Sequence, residues 1–166
     1  DVNLFGAHRV IRAVLPAMRS ARAGHVVNIS SVAGLVGSPG LGAYDASKAG
    51  LELLSEALHT EVAPLGIHVT IVEPGNIRTQ WAGRSMVFAK ERIADYDATA
   101  GVSRTFYPEL SGKQVGEASV VASTIRAAVA SDDPPLRLVV GDDAHGWIKD
   151  KLDQEYSDLA HWQPSN

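Results

Sequence analysis

Ser31, Tyr44 and Lys48 are the side chains of this sequence best suited to moving a proton at an oxygen atom. Tyr44 and Lys48 stand four residues apart, and Ser31 lies thirteen residues before the tyrosine. On a helix, positions i and i+4 share one face, one turn apart. A free phenol titrates near 10 and is a poor base at neutral pH. An ammonium about 4 Å away, in an effective dielectric of about 20, contributes roughly 4 kcal/mol, or about three pK units. That brings a phenol toward neutrality, where general acid–base catalysis works best, although desolvation opposes it. A hydroxyl, a phenol and an ammonium in this order are what carbonyl reduction or alcohol oxidation needs. A bare Y-x-x-x-K is more often a buried tyrosine beside a lysine that snorkels to solvent, so the surrounding residues carry the weight.

The elements that must position these groups are legible as alternating periods. Leu4, Ala7, Ile11, Val14, Leu15 and Met18 recur at three and four and predict a helix over residues 3–22, with Pro16 kinking it or removing a backbone bond. His25–Ser30 is a short β-branched run, hence a buried strand that delivers Ser31 at its end. A loop of small residues follows, with Gly34, Gly37, Gly40 and Gly42. A long helix over 43–64 carries Tyr44, Lys48, Leu51, Ser55, Leu58 and Val62 on one face. Residues 67–72 form a second strand that stops at Pro74-Gly75, and 136–140 form a third, after a helix over 115–131. The tail, with Trp147, Ile148 and Leu152, predicts an amphipathic helix over 144–160. Residues 79–113 show no clean period and contain Trp81, Met86, Phe88, Phe106 and Tyr107. Strands alternating with helices argue for an α/β fold on a covered parallel sheet, with ligands at the carboxyl ends of the strands.

Bulk properties narrow the function classes. The 166 residues suit one domain, and 45% hydrophobic with 20% charged residues is ordinary for a soluble globular protein. Net charge is −4, without a basic block, which argues against nucleic acid as a partner. No cysteine is present, so disulfides, thiolate metal sites and cysteine nucleophiles are out, which fits a cytoplasmic location. No apolar run approaches the ~18 residues of a membrane span, so no membrane partner is expected. Six histidines show no metal-ligand spacing, and no metal is expected. The glycine series is neither G-x-G-x-x-G nor a P-loop and suggests a flexible turn over the site. A G-x-S-x-G elbow is missing, so Ser31 does not fit a hydrolase nucleophile. Asp142-Asp143 suit the cap of the tail helix or a solvated face. Asn28-Ile29-Ser30 matches a glycosylation sequon but falls in a predicted buried strand.

Asn28-Ile29-Ser30-Ser31 with Tyr44-Asp45-Ala46-Ser47-Lys48, followed by Pro74-Gly75-Asn76-Ile77-Arg78-Thr79, resembles the active-site signature of the short-chain dehydrogenase/reductase family. The resemblance runs to about residue 145. It implies the second half of a Rossmann-like, doubly wound parallel sheet: three strands with flanking helices in one domain, 1–166. Within it the aromatic residues of 79–114 suggest a substrate lid for a partly apolar ligand, and core packing explains the same residues equally well. It implies hydride transfer between NAD or NADP and a small-molecule ketone or secondary alcohol. Tyr44 would donate the proton, Ser31 hold the oxygen, and Lys48 lower the tyrosine pKa and bind the nicotinamide ribose. Asn3, in Val2-Asn3-Leu4-Phe5-Gly6, would complete a tetrad by supporting a water that relays protons to the lysine. Pro74 and Gly75, the Ile77 backbone and the Thr79 hydroxyl would meet the nicotinamide end of the cofactor. Family members begin with a strand, a glycine-rich turn and a helix that seat the pyrophosphate, and residues 1–166 contain no such segment. Three or four further strand–helix units are expected upstream, at about thirty residues each, and the isolated chain is expected to be inactive. The strand at 25–30 then exposes an apolar edge, and a homodimer or homotetramer is expected. The alternative is a non-catalytic remnant or interaction module on the same fold.

Overall fold

The protein is described by a computed structural model over residues 1–162. A π-helical turn, Val2–Gly6, leads into α1, Ala7–Ala21. Pro16 sits inside α1 without ending it, so the proline removes one hydrogen bond and no more. The helix stops at Arg22, which adopts a left-handed φ of 53°, and Ala23 N–H donates to Met18 O at 3.2 Å. β1, Gly24–Ile29, follows. Ser31 caps a single 3-10 turn, Val32–Gly34, by accepting from Ala33 N–H at 3.2 Å. Next come α2, Gly42–Val62, and β2, Ile67–Pro74. The aperiodic stretch contains two short 3-10 turns and α3, Ser103–Leu110. The chain closes with α4, Ala118–Val129, β3, Arg137–Val140, and α5, Asp142–His161.

The three strands form one parallel sheet in the order β1-β2-β3, the α/β architecture expected from the sequence. Gly24 pairs with Ile67 and Ile29 with Val72; Ile71 pairs with Arg137 and Pro74 with Val140. One face is sealed by α1 and α2, with Ile11, Leu58 and Val62 packed on Val26, Ile67 and Val69. Each such aliphatic side chain contributes about 1.5–3 kcal/mol. On the other face Thr70 and Val72 are also buried. Burial on both faces explains why β2 is rich in Val and Ile, with Thr70 and Glu73 also buried and His68 its one exposed residue. β1 pairs on one side only, with β2, which leaves the free edge expected of it.

Boundaries shift where local chemistry intervenes. β1 ends at Ile29, one residue early, although Ser30 N–H still donates to Val72 O of β2 at 2.8 Å. α4 begins at Ala118 instead of 115, because Gly116 is taken up in a bridge with Ile77.

Candidate active site

Parallel strands gather their carboxyl ends on one side of the sheet, and the predicted residues meet there. Ser31, Tyr44, Lys48, Pro74, Gly75, Ile77 and Thr79 all line one cavity of ≈480 Å³. Ser31 enters from the end of β1, Tyr44 and Lys48 from the first two turns of α2, Pro74 from the end of β2, and Gly75, Ile77 and Thr79 from the loop after it. α2 presents the pair inward because Leu51, Ser55, Leu58 and Val62 continue the same stripe and are buried. Asn28, the sequon residue, is buried and donates to Ser55 Oγ at 2.8 Å.

Asn3 is the predicted residue that does not line this cavity. Its Nδ2 donates to Ser47 Oγ at 3.1 Å, next to Lys48, and Ser47 Oγ donates to Tyr44 O at 2.7 Å. Asn3 and Lys48 both line a second groove along the free edge of β1, so the lysine stands between the two hollows.

The electrostatics correct one expectation. Lys48 Nζ donates to Ile29 O at 2.8 Å and lies 5.8 Å from the centre of the Tyr44 ring. The ammonium is thus held by the end of β1, and the Tyr44 phenol is pushed up, not down. Burial is the main cause; the Ser31 hydroxyl works the other way, and the Asp45 carboxylate adds to the rise. Burial also lowers Lys48, against the pull of Glu52. Desolvation outweighs the cation because the cation is spent on a carbonyl.

Residues 79–113 divide. Trp81 packs on Tyr44 with ring centres 5.3 Å apart, Tyr107 meets Trp81 edge-on at 5.4 Å, and Phe106 meets Tyr107 at 5.1 Å. These three rings line the cavity, whereas Met86 and Phe88 line a separate hollow, where Arg104 lies over Phe88. Asp142 and Asp143 do not cap α5, whose first residue follows Gly141 without a side-chain cap bond. Asp143 Oδ2 instead accepts the Asn76 N–H at 2.8 Å. The glycine-rich loop is not uniformly open: Gly34 is buried, and a Cβ there would lie 2.8 Å from Glu52 Cγ. Among the described residues no cluster of ligating side chains could hold a metal, and no helix is long and apolar enough to cross a membrane.

The family model described as short chain dehydrogenase matches residues 1–87. The chain belongs to the short-chain dehydrogenase family. It is 40% identical over 144 residues to Oxidoreductase BOA17 of Botryotinia fuckeliana, covering 87% of this chain and 52% of that protein. A short-chain dehydrogenase from Streptomyces avermitilis superposes with a TM-score of 0.84 at 40% identity, over 96% of this chain and 57% of the other. A short-chain dehydrogenase from Sphingobium yanoikuyae, solved in complex with NADPH, gives 0.63 at 27% identity, over 98% and 55%. The chain thus spans about half the length of the relatives it matches.

As a short-chain dehydrogenase, the chain has donors placed for a polar ligand after β2. The bridge between Ile77 and Gly116 uses Arg78 N–H and Asn76 O. Ile77 keeps its own N–H without an acceptor among the described residues. Thr79 Oγ1 accepts only the Trp81 N–H, at 3.3 Å, and keeps its proton for a ligand. A free amide, a hydroxyl and the Lys48 ammonium in one cavity match the carboxamide and ribose of a nicotinamide nucleotide. Sequence reasoning missed Asp45, Glu52, Gln114 and Asp143. Gln114 is buried on the cavity wall and accepts Gly112 N–H at 2.9 Å. The one available signal was Glu52, four residues after Lys48 on the inward stripe.

Proposed function

We propose that this chain forms the catalytic half of an NAD- or NADP-dependent oxidoreductase acting on a ketone or secondary alcohol, with Tyr44 as its proton donor. The observation that carries it is the meeting of Ser31, Tyr44 and Lys48 with the 74–79 turn in one cavity at the strand ends. In the reductive direction the Tyr44 phenol gives its proton to the substrate oxygen as the carbonyl carbon becomes an alcohol carbon. Burial that raises the phenol keeps it protonated at neutral pH, the state a donor needs. The Ser31 hydroxyl donates to the same oxygen and holds it where charge develops. Lys48 returns positive charge toward the phenolate, and Asn3, bonded beside it through Ser47, orients the path by which a proton is restored.

NAD or NADP, when bound, supplies the hydride. Pro74 and Gly75 give it a close backbone approach, Ile77 N–H and Thr79 Oγ1 bind its carboxamide or a phosphate, and Tyr44 and Lys48 its ribose. Residues 1–166 act as one domain, with 79–114 as the substrate-facing excursion. A cytoplasmic homodimer or homotetramer completes the proposal; exposed Val2, Phe5 and Val10 near the start of the chain support a subunit contact.

The test is Tyr44→Phe in the complete polypeptide, following NADH and NADPH oxidation against a panel of ketones. Turnover should fall ~10²–10⁴-fold with the circular dichroism spectrum unchanged. Activity that survives the change rejects Tyr44 as the donor.

A further inference from the structure

We infer that the cavity takes an uncharged, largely hydrophobic ketone or alcohol whose ring seats against Trp81 and Tyr107, and that it turns away substrates bearing a carboxylate or phosphate near the reacting carbon. Only the reacting group rests on the oxidoreductase proposal above; the rest is carried by the walls.

The first ground is the aromatic series. Tyr44, Trp81, Tyr107 and Phe106 follow one another at 5.3, 5.4 and 5.1 Å between ring centres. Tilted and edge-on arrangements expose both ring faces and edges, the surfaces a further aromatic or alicyclic ring packs on. The series runs from the proton donor at its inner end to Phe106, which is 51% exposed, at the rim. A substrate can therefore place its reacting carbon at Tyr44 and its bulk along the apolar wall toward solvent.

The second ground is charge. Among the described residues lining the cavity Lys48 is the only cation, and its ammonium is already bound to Ile29 O. None of those residues is an arginine or histidine, so an anionic substrate group beside Tyr44 would enter without the charge-assisted partner such groups require. Behind Tyr44 lies Asp45, which is buried; its Oδ2 accepts Ser38 N–H at 2.8 Å, while its Oδ1 has no partner. That negative charge reaches both phenols and raises Tyr44 and Tyr107 alike, in each case adding to the effect of burial. The same field repels an anionic substrate.

The third ground is that the polar groups remaining on the wall are neutral: Ser30, Ser38, Asn76 and the Gln114 amide. They suit a second hydroxyl or carbonyl on the substrate but do not compensate a full charge.

The test compares two probes that differ only in the group beside the carbonyl, 4-phenyl-2-butanone with a methyl and 2-oxo-4-phenylbutanoate with a carboxylate, titrated into the full chain by ligand-observed NMR. The neutral ketone should bind saturably and at least tenfold more tightly than the carboxylate. Trp81→Ala should weaken it at least fivefold, and Asp45→Asn should narrow the discrimination between the probes. Should Trp81→Ala lose its fold, Phe106→Ala at the exposed rim makes the same comparison. Equal or tighter binding of the carboxylate, failure of the neutral ketone to saturate, or indifference to loss of the ring overturns the assignment. Selective binding without NADH or NADPH oxidation in the complete polypeptide rejects the oxidoreductase proposal and leaves the pocket assignment standing. Turnover that favours the carboxylate does the reverse.

Discussion

The Asn76 backbone N–H donates to Asp143 Oδ2 at 2.8 Å and so ties the turn after β2 to the first turn of α5. The contact spans 67 residues and is tight: a Cβ on Gly75 would collide with the same carboxylate. Gly75 N–H also donates to Val140 O at 3.0 Å, so the turn is clamped from β3 as well. Ile77 and Thr79, two and four residues on, inherit their placement from this clamp. A hydrogen bond to a charged acceptor contributes about 1.5–3 kcal/mol. Asp143→Ala should lower stability by about that amount in urea unfolding. Asp143→Asn, which keeps an acceptor oxygen, should lower it by less. In the complete polypeptide the alanine variant should also weaken NAD(P)H binding, read by nucleotide fluorescence. Equal effects of the two variants would show that a neutral acceptor oxygen contributes nothing and that the charge carries the contact.

A second relation predicts a pH dependence. Arg137 Nη1 donates to Glu52 Oε2 at 2.7 Å and also to Glu73, and Nη2 donates to Glu56. Glu52 and Glu73 are buried, so three carboxylates share one guanidinium. Burial would lower Arg137, but the three carboxylates outweigh it and hold it charged. Glu52 is pushed up to about 7, chiefly by burial and further by Glu73, against the pull of Ser30 and Arg137. Its ordinary value is 4.5, so between about 4.5 and 7 the folded state binds a proton that the unfolded chain releases. Stability from this group is present below 4.5 and is lost as pH rises through 7, by at most about 3 kcal/mol. Glu52→Gln should flatten the stability curve over that window and leave the variant the more stable protein at pH 8. A wild-type curve that rises from pH 5 to 7 relative to the variant would contradict this.

The strands, α1, α2 and the cavity were legible because each rests on a local period or a short motif. β2 declares itself by a run of apolar residues, and Tyr44 and Lys48 by spacing along α2. What stayed hidden depends on contacts between distant segments. Asp143 looked like a capping residue because a sequence shows the helix start but not the Asn76 amide packed beside it. Trp81 and Phe88 looked alike, yet only Trp81 faces Tyr44, since no periodicity orders 79–113. The direction of the Tyr44 shift also escaped, because it turns on Lys48 finding Ile29 O, and sequence spacing cannot show where a flexible ammonium ends.

That reversal has its own test. Burial, with Asp45 behind the ring, raises the Tyr44 phenol above its ordinary 10.0, while Ser31 opposes the rise. Difference absorbance of tyrosinate between wild type and Tyr44→Phe, titrated from pH 8 to 12, isolates this phenol. Its midpoint should lie above 10, and Asp45→Asn should move it down. A midpoint near 7 without nucleotide would mean that Lys48 reaches the phenol after all.

The opposite end of the sheet supplies the last prediction, because two turns there press on each other. Gly66 links α2 to β2 with φ +74°, and a Cβ on it would lie 2.6 Å from Arg22 O. Arg22 links α1 to β1 at φ 53°, and its Nη2 donates to Pro64 O at 3.1 Å. Glycine at 66 is thus required twice, by its left-handed conformation and by the neighbouring carbonyl. Gly66→Ala should cost about 1–3 kcal/mol, seen as a lower urea midpoint with the slope unchanged. Arg22 occupies the same left-handed region with a side chain, at about 1–2 kcal/mol of strain. Arg22→Gly relieves that strain and forfeits one exposed hydrogen bond of about 0.5–1.5 kcal/mol. Its stability should therefore stay within about 1 kcal/mol of wild type, while Gly66→Ala falls clearly below. If both substitutions prove equally harmful, the contact between the turns, not backbone conformation, governs this end of the sheet.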